Sequence, residues 1–274
     1  MYSENMNILT QNGVTFLKFK ALEDIDFINQ AISTRHGGVS MQNEAIKSLN
    51  LGLSCGDSHE NIVENYRRFF EASGFDINRA VCSKQTHGTN ILYATEKDCS
   101  KGIFKERDYD SIDAIITDKK NIPIVIHSAD CVPVTLIDTK NKAIGSAHCG
   151  WRGTFASLAE KMFREMNCRF STKPEDIISV IGPCICQNCY EVSEDLYNQF
   201  LEKFGKTEGI AKKDNKYYLD LALINRLILI KCDVPESNIT ISDLCTCCNK
   251  QDLYSHRGLG PERGILASVI EITN

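Results

Sequence analysis

The stretch IDAIITDKKNIPIVIHSADCVPVTLIDTKNKAIGSAHC, residues 112–149, decides how this chain folds. Four runs rich in β-branched or small residues lie inside it, at 112–117, 122–127, 132–137 and 143–147. Each run is short and is closed by polar or turn-forming residues, a pattern that suits strands better than helices. A sheet core is therefore expected here. N-terminal to it, residues 7–22 alternate apolar and polar side chains around Asn12-Gly13, which fits a tight hairpin. A helix is signalled from Asp57 through Ile62, Val63, Tyr66, Phe69 and Phe70 to a stop at Gly74. A second follows the core, with Thr154 as N-cap and the stripe Phe155, Leu158, Ala159, Met162, Phe163 and Met166. Further strands are expected at 177–181, 238–241 and 265–270, and further helices near 193–204 and 220–231. With no repeat and no Pro/Ser-rich linker, the expectation is one α+β domain over residues 1–274, a mixed β-sheet core flanked by helices.

At 274 residues, 42% hydrophobic and 24% charged, the chain has the composition of a folded domain. Its net charge of −5 offers no general attraction for a polyanion, so a nucleic-acid partner is not expected. The most apolar stretch, residues 219–230, is broken by Asp220, Asn225 and Arg226 and falls short of the roughly 20 residues that span a bilayer. No membrane span is expected. The 13 cysteines are an odd number, and the first six residues lack the basic and apolar regions of an export signal. A cytoplasmic chain with reduced thiols is the expectation.

Three segments place a histidine or cysteine at the end of an apolar or small-residue run: Lys84-Gln85-Thr86-His87-Gly88, Ser128-Ala129-Asp130-Cys131, and Ala147-His148-Cys149-Gly150-Trp151-Arg152-Gly153. Two imidazoles and one thiolate leave a fourth position open on a tetrahedral zinc ion, and copper accepts the same donors. His127 is a rival donor. Arg152, beside a glycine-bracketed turn feeding a helix, is a candidate anion ligand, with a solvent-facing arginine as the plainer alternative. Arg35, in Ser33-Thr34-Arg35-His36-Gly37-Gly38, reads on its own as part of an ordinary loop. Two thiol groups remain, Cys184-Ile185-Cys186-Gln187-Asn188-Cys189 and Cys245-Thr246-Cys247-Cys248. Taken whole, neither is read as the paired C-x-x-C of a zinc ribbon. Free thiols are the expectation there, with a second zinc or an iron–sulfur cluster as the alternative.

In order along the chain stand Thr34-Arg35-His36-Gly37-Gly38-Val39-Ser40, Lys84-Gln85-Thr86-His87-Gly88, Asp113-Ala114 with Ser128-Ala129-Asp130-Cys131, His148-Cys149-Gly150-Trp151-Arg152-Gly153, Ile181-Gly182-Pro183 with Tyr190-Glu191-Val192, and Cys245-Thr246 with Ser255-His256-Arg257. This series resembles the YfiH-like or laccase-domain family, formerly labelled multicopper polyphenol oxidase. The resemblance runs from about Ser33 to the C-terminus. It implies an α+β domain of YfiH-like type and a zinc ion held by His87, Cys131 and His148. It also implies phosphorolysis of adenosine, inosine, guanosine or methylthioadenosine to free base and pentose 1-phosphate, with adenosine deamination alongside. Under that implication Arg35 and Arg152 are candidates for phosphate, Gln85 for base or sugar edges, and Asp130 for acid–base work beside Cys131. Copper-dependent phenol oxidation and a cysteine or peptidoglycan-amide hydrolase using Cys131 and His148 are the alternatives. Oligomeric state is not legible.

Overall fold

Hydrophobic alternation sorts the chain into two six-stranded sheets packed face to face, with helices on both outer surfaces. The computed structural model describes residues 1–53 and 55–274. The first sheet contains β1 (Met6–Gln11), β2 (Val14–Phe19), β3 (Ile28–Ser33), β4 (Val81–Cys82), β7 (Ile124–Ser128) and β15 (Leu266–Ile272), in the order β1-β2-β3-β15-β7-β4. The second contains β5 (Asn90–Tyr93), β6 (Ile112–Thr117), β8 (Val132–Asp138), β9 (Ala143–Cys149), β10 (Ile177–Ile181) and β14 (Ile239–Ile241), in the order β14-β10-β8-β9-β6-β5. Both are mixed: β4 runs parallel to β7 and β5 to β6, while β8 and β9 are antiparallel. A small sheet of β11 (Glu191–Val192), β12 (Ile210–Lys213) and β13 (Lys216–Leu219) lies apart from them in pairing.

Between the large sheets, Leu17, Ile32, Ile126 and Ile270 meet Ile115, Ile137, Ile144 and Val180. Each fully buried side chain of this kind stabilises the fold by about 1.5–3 kcal/mol. Residues of opposite parity face the helices. Val125 and Val269 pack under Ile62, Tyr66, Phe69 and Phe70 of α1 (His59–Ser73). On the other side Ile116, Val134, Leu136 and Ala147 meet α3 (Leu158–Phe170) and α5 (Leu221–Ile230). Gly145 on β9 lets α3 approach closely, since a Cβ there would lie 3.0 Å from Ile116 Cγ2 and from the sulfurs of Met162 and Met166.

The expected hairpin forms, with Asn12 and Gly13 both at positive φ. Two expected caps move. Ser58, and not Asp57, caps α1 by accepting from the Asn61 N–H, while Asp57 binds the Ser40 and Asn50 side chains. Thr154 lies inside α2 (Trp151–Phe155), which starts after Gly150 and is separated from α3 by Ser157, a residue in the left-handed conformation. The Thr154 hydroxyl is turned inward, donating to the Cys149 carbonyl and accepting from Asn225. The remaining helices, α4 (Glu194–Phe204) and α6 (His256–Leu259), are capped by Ser193 and Ser255. Strands β3, β4 and β5, helix α6 and the small sheet were not expected. Among the described residues no helix is long and apolar enough to cross a membrane.

Glu271 is buried on β15, opposite Asn29. Burial pushes its carboxyl up from the usual 4.5 to about 7, against the opposing hydrogen bond from Asn29. The folded chain therefore keeps a proton that the unfolded chain releases between those values, and stability falls as pH rises through the interval. Glu271→Gln is expected to raise the Tm by a few degrees at pH 8 and by less at pH 5. Equal gains at both pH values in thermal melts would contradict this origin.

Candidate metal centre and groove

The site forms where the chain passes between the two sheets. One passage, Ala129-Asp130-Cys131, links β7 to β8, and Asp130 turns it with φ at 90°. A second links β4 to β5 and carries His87 at φ 62°. Positive φ at two non-glycine residues is a conformation the surrounding structure must enforce. The third contributor, His148, lies near the end of β9 in register with Pro133 of β8.

Asp113 enforces the arrangement. The pairing of β5 with β6 slips by one residue at this position, Asn90 facing Ile112 and Ile91 facing Ala114. The fully buried Asp113 carboxylate accepts from the backbone N–H groups of Thr86 (3.0 Å), His87 (3.0 Å) and Gly88 (2.8 Å). It also accepts from Nδ1 of His148 at 2.9 Å. Burial alone would raise its pKa, but the bonds from His148 and the loop amides hold it below the ordinary carboxylate range. Bonding at Nδ1 commits the His148 lone pair to Nε2, the tautomer a metal ligand needs.

One donor atom from each of His87, Cys131 and His148 lies within 4.8 Å of the others. Cys131 Sγ is 4.0 Å from His87 Nε2, and the two imidazole rings are 4.9 Å apart. Burial would push the Cys131 thiol up, yet His148 and His87 beside it bring it down to about 6. Burial likewise opposes charge on His148, but Cys131 and Asp113 raise it to about 9. A ready thiolate with two convergent imidazoles fits a tetrahedral ion that keeps one position open. Gly150 keeps space beside this set, since a Cβ there would lie 3.0 Å from both Cys131 Sγ and a carbon of the His87 ring.

The three donors line a groove of about 520 Å³, together with Lys84, Gln85, Arg107, Ser128 and Arg263 among others. Gln85 is in the groove, but its amide pairs with both backbone groups of His127, at 2.8 Å each. His127 is not with the metal donors. Its Nε2 bonds the Tyr66 hydroxyl, and burial, with Arg107 and His148 nearby, lowers its pKa to about 3. Asp130 has one oxygen accepting from the Thr246 hydroxyl and the other from the Arg257 N–H, at 2.6 Å each. Arg152 stacks 4.2 Å over Trp151 and does not line the groove. Arg35 is outside it too, donating to the Lys250 and Glu44 carbonyls with its guanidinium over Tyr254.

Sequence reading passed over Asp113 as a site residue, although a lone carboxylate inside the apolar run Ile112–Thr117 was the signal. Lys84, Arg107 and Arg263 were also missed; Lys84 stood in the singled-out segment 84–88, while nothing local marks the two arginines. The thiol spacing is corrected as well. Without Cys184 and Cys247, the two groups become Cys186-x-x-Cys189 and Cys245-x-x-Cys248, a paired C-x-x-C after all.

Two facing mixed sheets with a His2Cys donor set at their crossing loops define an α+β protein with a candidate metal centre between the sheets. The chain belongs to the multi-copper polyphenol oxidoreductase laccase family, whose model matches residues 29–273. This is the family that the ordered motifs resemble. YlmD of Geobacillus stearothermophilus, named a purine nucleoside phosphorylase, is 34% identical over 233 residues, 82% of this chain and 83% of its own length. RL5, named an adenosine deaminase and from an unknown prokaryotic organism, is 30% identical over 252 residues, 89% of this chain and 95% of its own. The crystal structure of YlmD from Geobacillus stearothermophilus matches with a TM-score of 0.88 at 30% identity, covering 97% of this chain and 99% of that one.

Asp113→Asn is expected to weaken zinc binding about 10- to 100-fold, the usual cost of losing a partner that orients a ligating imidazole. Competition against a chromophoric chelator measures it, and unchanged affinity would remove Asp113 from this role. In the metal-free chain at pH 7.5 the Cys131 thiol (about 6) is ionised and His148 (about 9) is protonated. Zinc uptake should then release about one proton from this pair and, above pH 10, none. Calorimetry in buffers of different ionisation enthalpy reads that number.

Proposed function

We propose that this chain is a zinc-dependent purine nucleoside phosphorylase with adenosine deaminase activity, acting in the cytoplasm. Its substrates in this reading are adenosine, inosine, guanosine or methylthioadenosine together with phosphate. The carrying observation is the His87–Cys131–His148 donor set in a groove that also bears Lys84, Arg107 and Arg263. Relatives named for the two reactions support the same reading.

In phosphorolysis a phosphate oxygen bonds to the anomeric carbon while the bond to the purine nitrogen breaks. Its electron pair leaves with the base, which takes up a proton. Arg107 and Arg263 make the groove attractive to the phosphate, with Lys84 beside them paired to Asp110, a role expected of Arg35 and Arg152, neither of which lines it. Arg107 is anchored by Nη1 to the Ser83 carbonyl at 2.6 Å, so its fork is held in one orientation. His87, Cys131 and His148 would hold the zinc. When bound, the ion supplies a Lewis acid and brings the pKa of a bound water toward roughly 7, as deamination requires. Asp130 is the carboxylate next to Cys131 in the chain. With both oxygens holding donors it orients the ligand strand, and it can accept a proton only when one of those bonds opens. Gln85, pinned to His127, shapes the wall.

One observation favours a second reading. A Cys131 thiol drawn down to about 6 beside a His148 raised to about 9 is the pair a cysteine hydrolase uses. The reading as a multi-copper phenol oxidase asks for more histidine donors than the chain brings together. Among the described residues the candidate metal groups are the His2Cys set and one all-cysteine set, whereas several copper centres need many histidines.

Purified protein given adenosine with and without phosphate is expected to form adenine and ribose 1-phosphate only with phosphate, and inosine in either case. Chelation or His87→Ala should abolish both activities. Activity that survives metal removal but is lost on alkylation would instead establish the cysteine-hydrolase reading. Arg107→Ala should raise the KM for phosphate about tenfold or more, in line with a lost charged hydrogen bond of about 1.5–3 kcal/mol. An unchanged KM would take Arg107 out of the phosphate site.

A further inference from the structure

The two C-x-x-C pairs, 59 residues apart, meet in space. One is carried by the turn after β10 and the other by the turn after β14, and a β-bridge between Cys184 and Cys245 clamps the two turns together. The Thr246 N–H donates to the Cys184 carbonyl at 3.0 Å to complete the clamp. The sulfurs of Cys186, Cys189, Cys245 and Cys248 all lie within 4.8 Å of one another, and those of Cys189 and Cys248 are 3.5 Å apart. A tetrahedral zinc ion with bonds of about 2.3 Å places its sulfurs about 3.8 Å apart, so this spread suits a single ion. An iron–sulfur cube gives each thiolate its own iron and needs a wider set.

Two further features suit thiolates. The backbone N–H groups of Cys186 and Cys248 donate to Cys245 Sγ at 3.3 and 3.4 Å, the kind of support that stabilises a charged sulfur. A tetrathiolate zinc site carries two net negative charges. Arg257 stands next to it, donating to the Cys189 carbonyl at 3.4 Å and the Glu191 carbonyl at 3.1 Å.

We propose that Cys186, Cys189, Cys245 and Cys248 bind one zinc ion in a closed structural site, separate from the His2Cys set. Its four ligands fill the coordination sphere, so this ion takes no substrate. The thiol protons it displaces go to solvent. Its effect on the groove is positional. Thr246 lies between two of the ligands and Arg257 packs against the same turns, and their hydroxyl and N–H are the two donors that hold Asp130 beside Cys131. The ion thereby fixes the frame of the strand end that carries one ligand of the His2Cys set.

Metal analysis of protein purified under reducing conditions tests this directly. Wild type should hold two zinc ions per chain, His87→Ala one, and Cys186→Ser with Cys189→Ser one. A single ion in wild type that survives the double cysteine substitution would overturn the proposal. Cobalt provides a readout that needs no cysteine variant. His87→Ala loaded with Co2+ should display the intense sulfur-to-metal absorption of four thiolates, and its absence would overturn the assignment. Alkylation mapped on wild-type protein should find these four cysteines shielded until zinc is stripped. Iron with inorganic sulfide, or a Cys189–Cys248 disulfide in place of the ion, would also refute it. None of these readouts depends on the nucleoside reaction, so this site and the proposed activity can fail separately.

Discussion

Four N–H groups converge on one buried carboxylate, and the site depends on that convergence. Asp113 gathers three consecutive amides of the 86–88 loop and the imidazole of His148. Each bond is charge-assisted and removed from water, which makes it stronger than a neutral pair and costly to break singly. Two of the three donors therefore answer to the same anchor. The loop amides set where His87 stands, and the Nδ1 bond sets which nitrogen of His148 faces outward.

A comparable arrangement holds Cys131. Asp130 is buried at a positive φ, bound on one side by Thr246 and on the other by the Arg257 N–H. These partners come from the C-terminal third of the chain, so the residue next to the thiolate is fixed from a distance in sequence. Asp130 sits on the passage from β7 to β8, while Asp113 reaches the passage from β4 to β5 from inside strand β6, and each cements a crossing that the strand ladders leave without partners.

Much of the architecture was legible because it is written in local pattern. The strands at 112–117 and 177–181, the hairpin at Asn12-Gly13 and the helices beginning after Ser193 and Asp220 all follow from periodicity and capping chemistry. Thr154 misled because its hydroxyl, a good cap in isolation, is better satisfied inside the turn by Asn225, a residue 71 positions away. The donor set was readable only through the order of motifs, since His87, Cys131 and His148 obey no short spacing. Arg35 shows the converse limit. The resemblance made this guanidinium a phosphate candidate where the loop alone suggested nothing, and its bonds to the carbonyls of Lys250 and Glu44 are visible only in the tertiary structure.

The passages between the sheets also set the order of events during folding. His87 and Cys131 lie on separate crossings and His148 at a strand end, so they become neighbours only after both sheets have formed and docked. The entropy of closing those long loops is spent before any donor set exists. A ligand held by all three donors binds the docked state and not the open chain, so it stabilises the native fold by mass action. For this chain, whatever the three donors bind also acts as a clasp between the two sheets, joining stretches far apart in sequence.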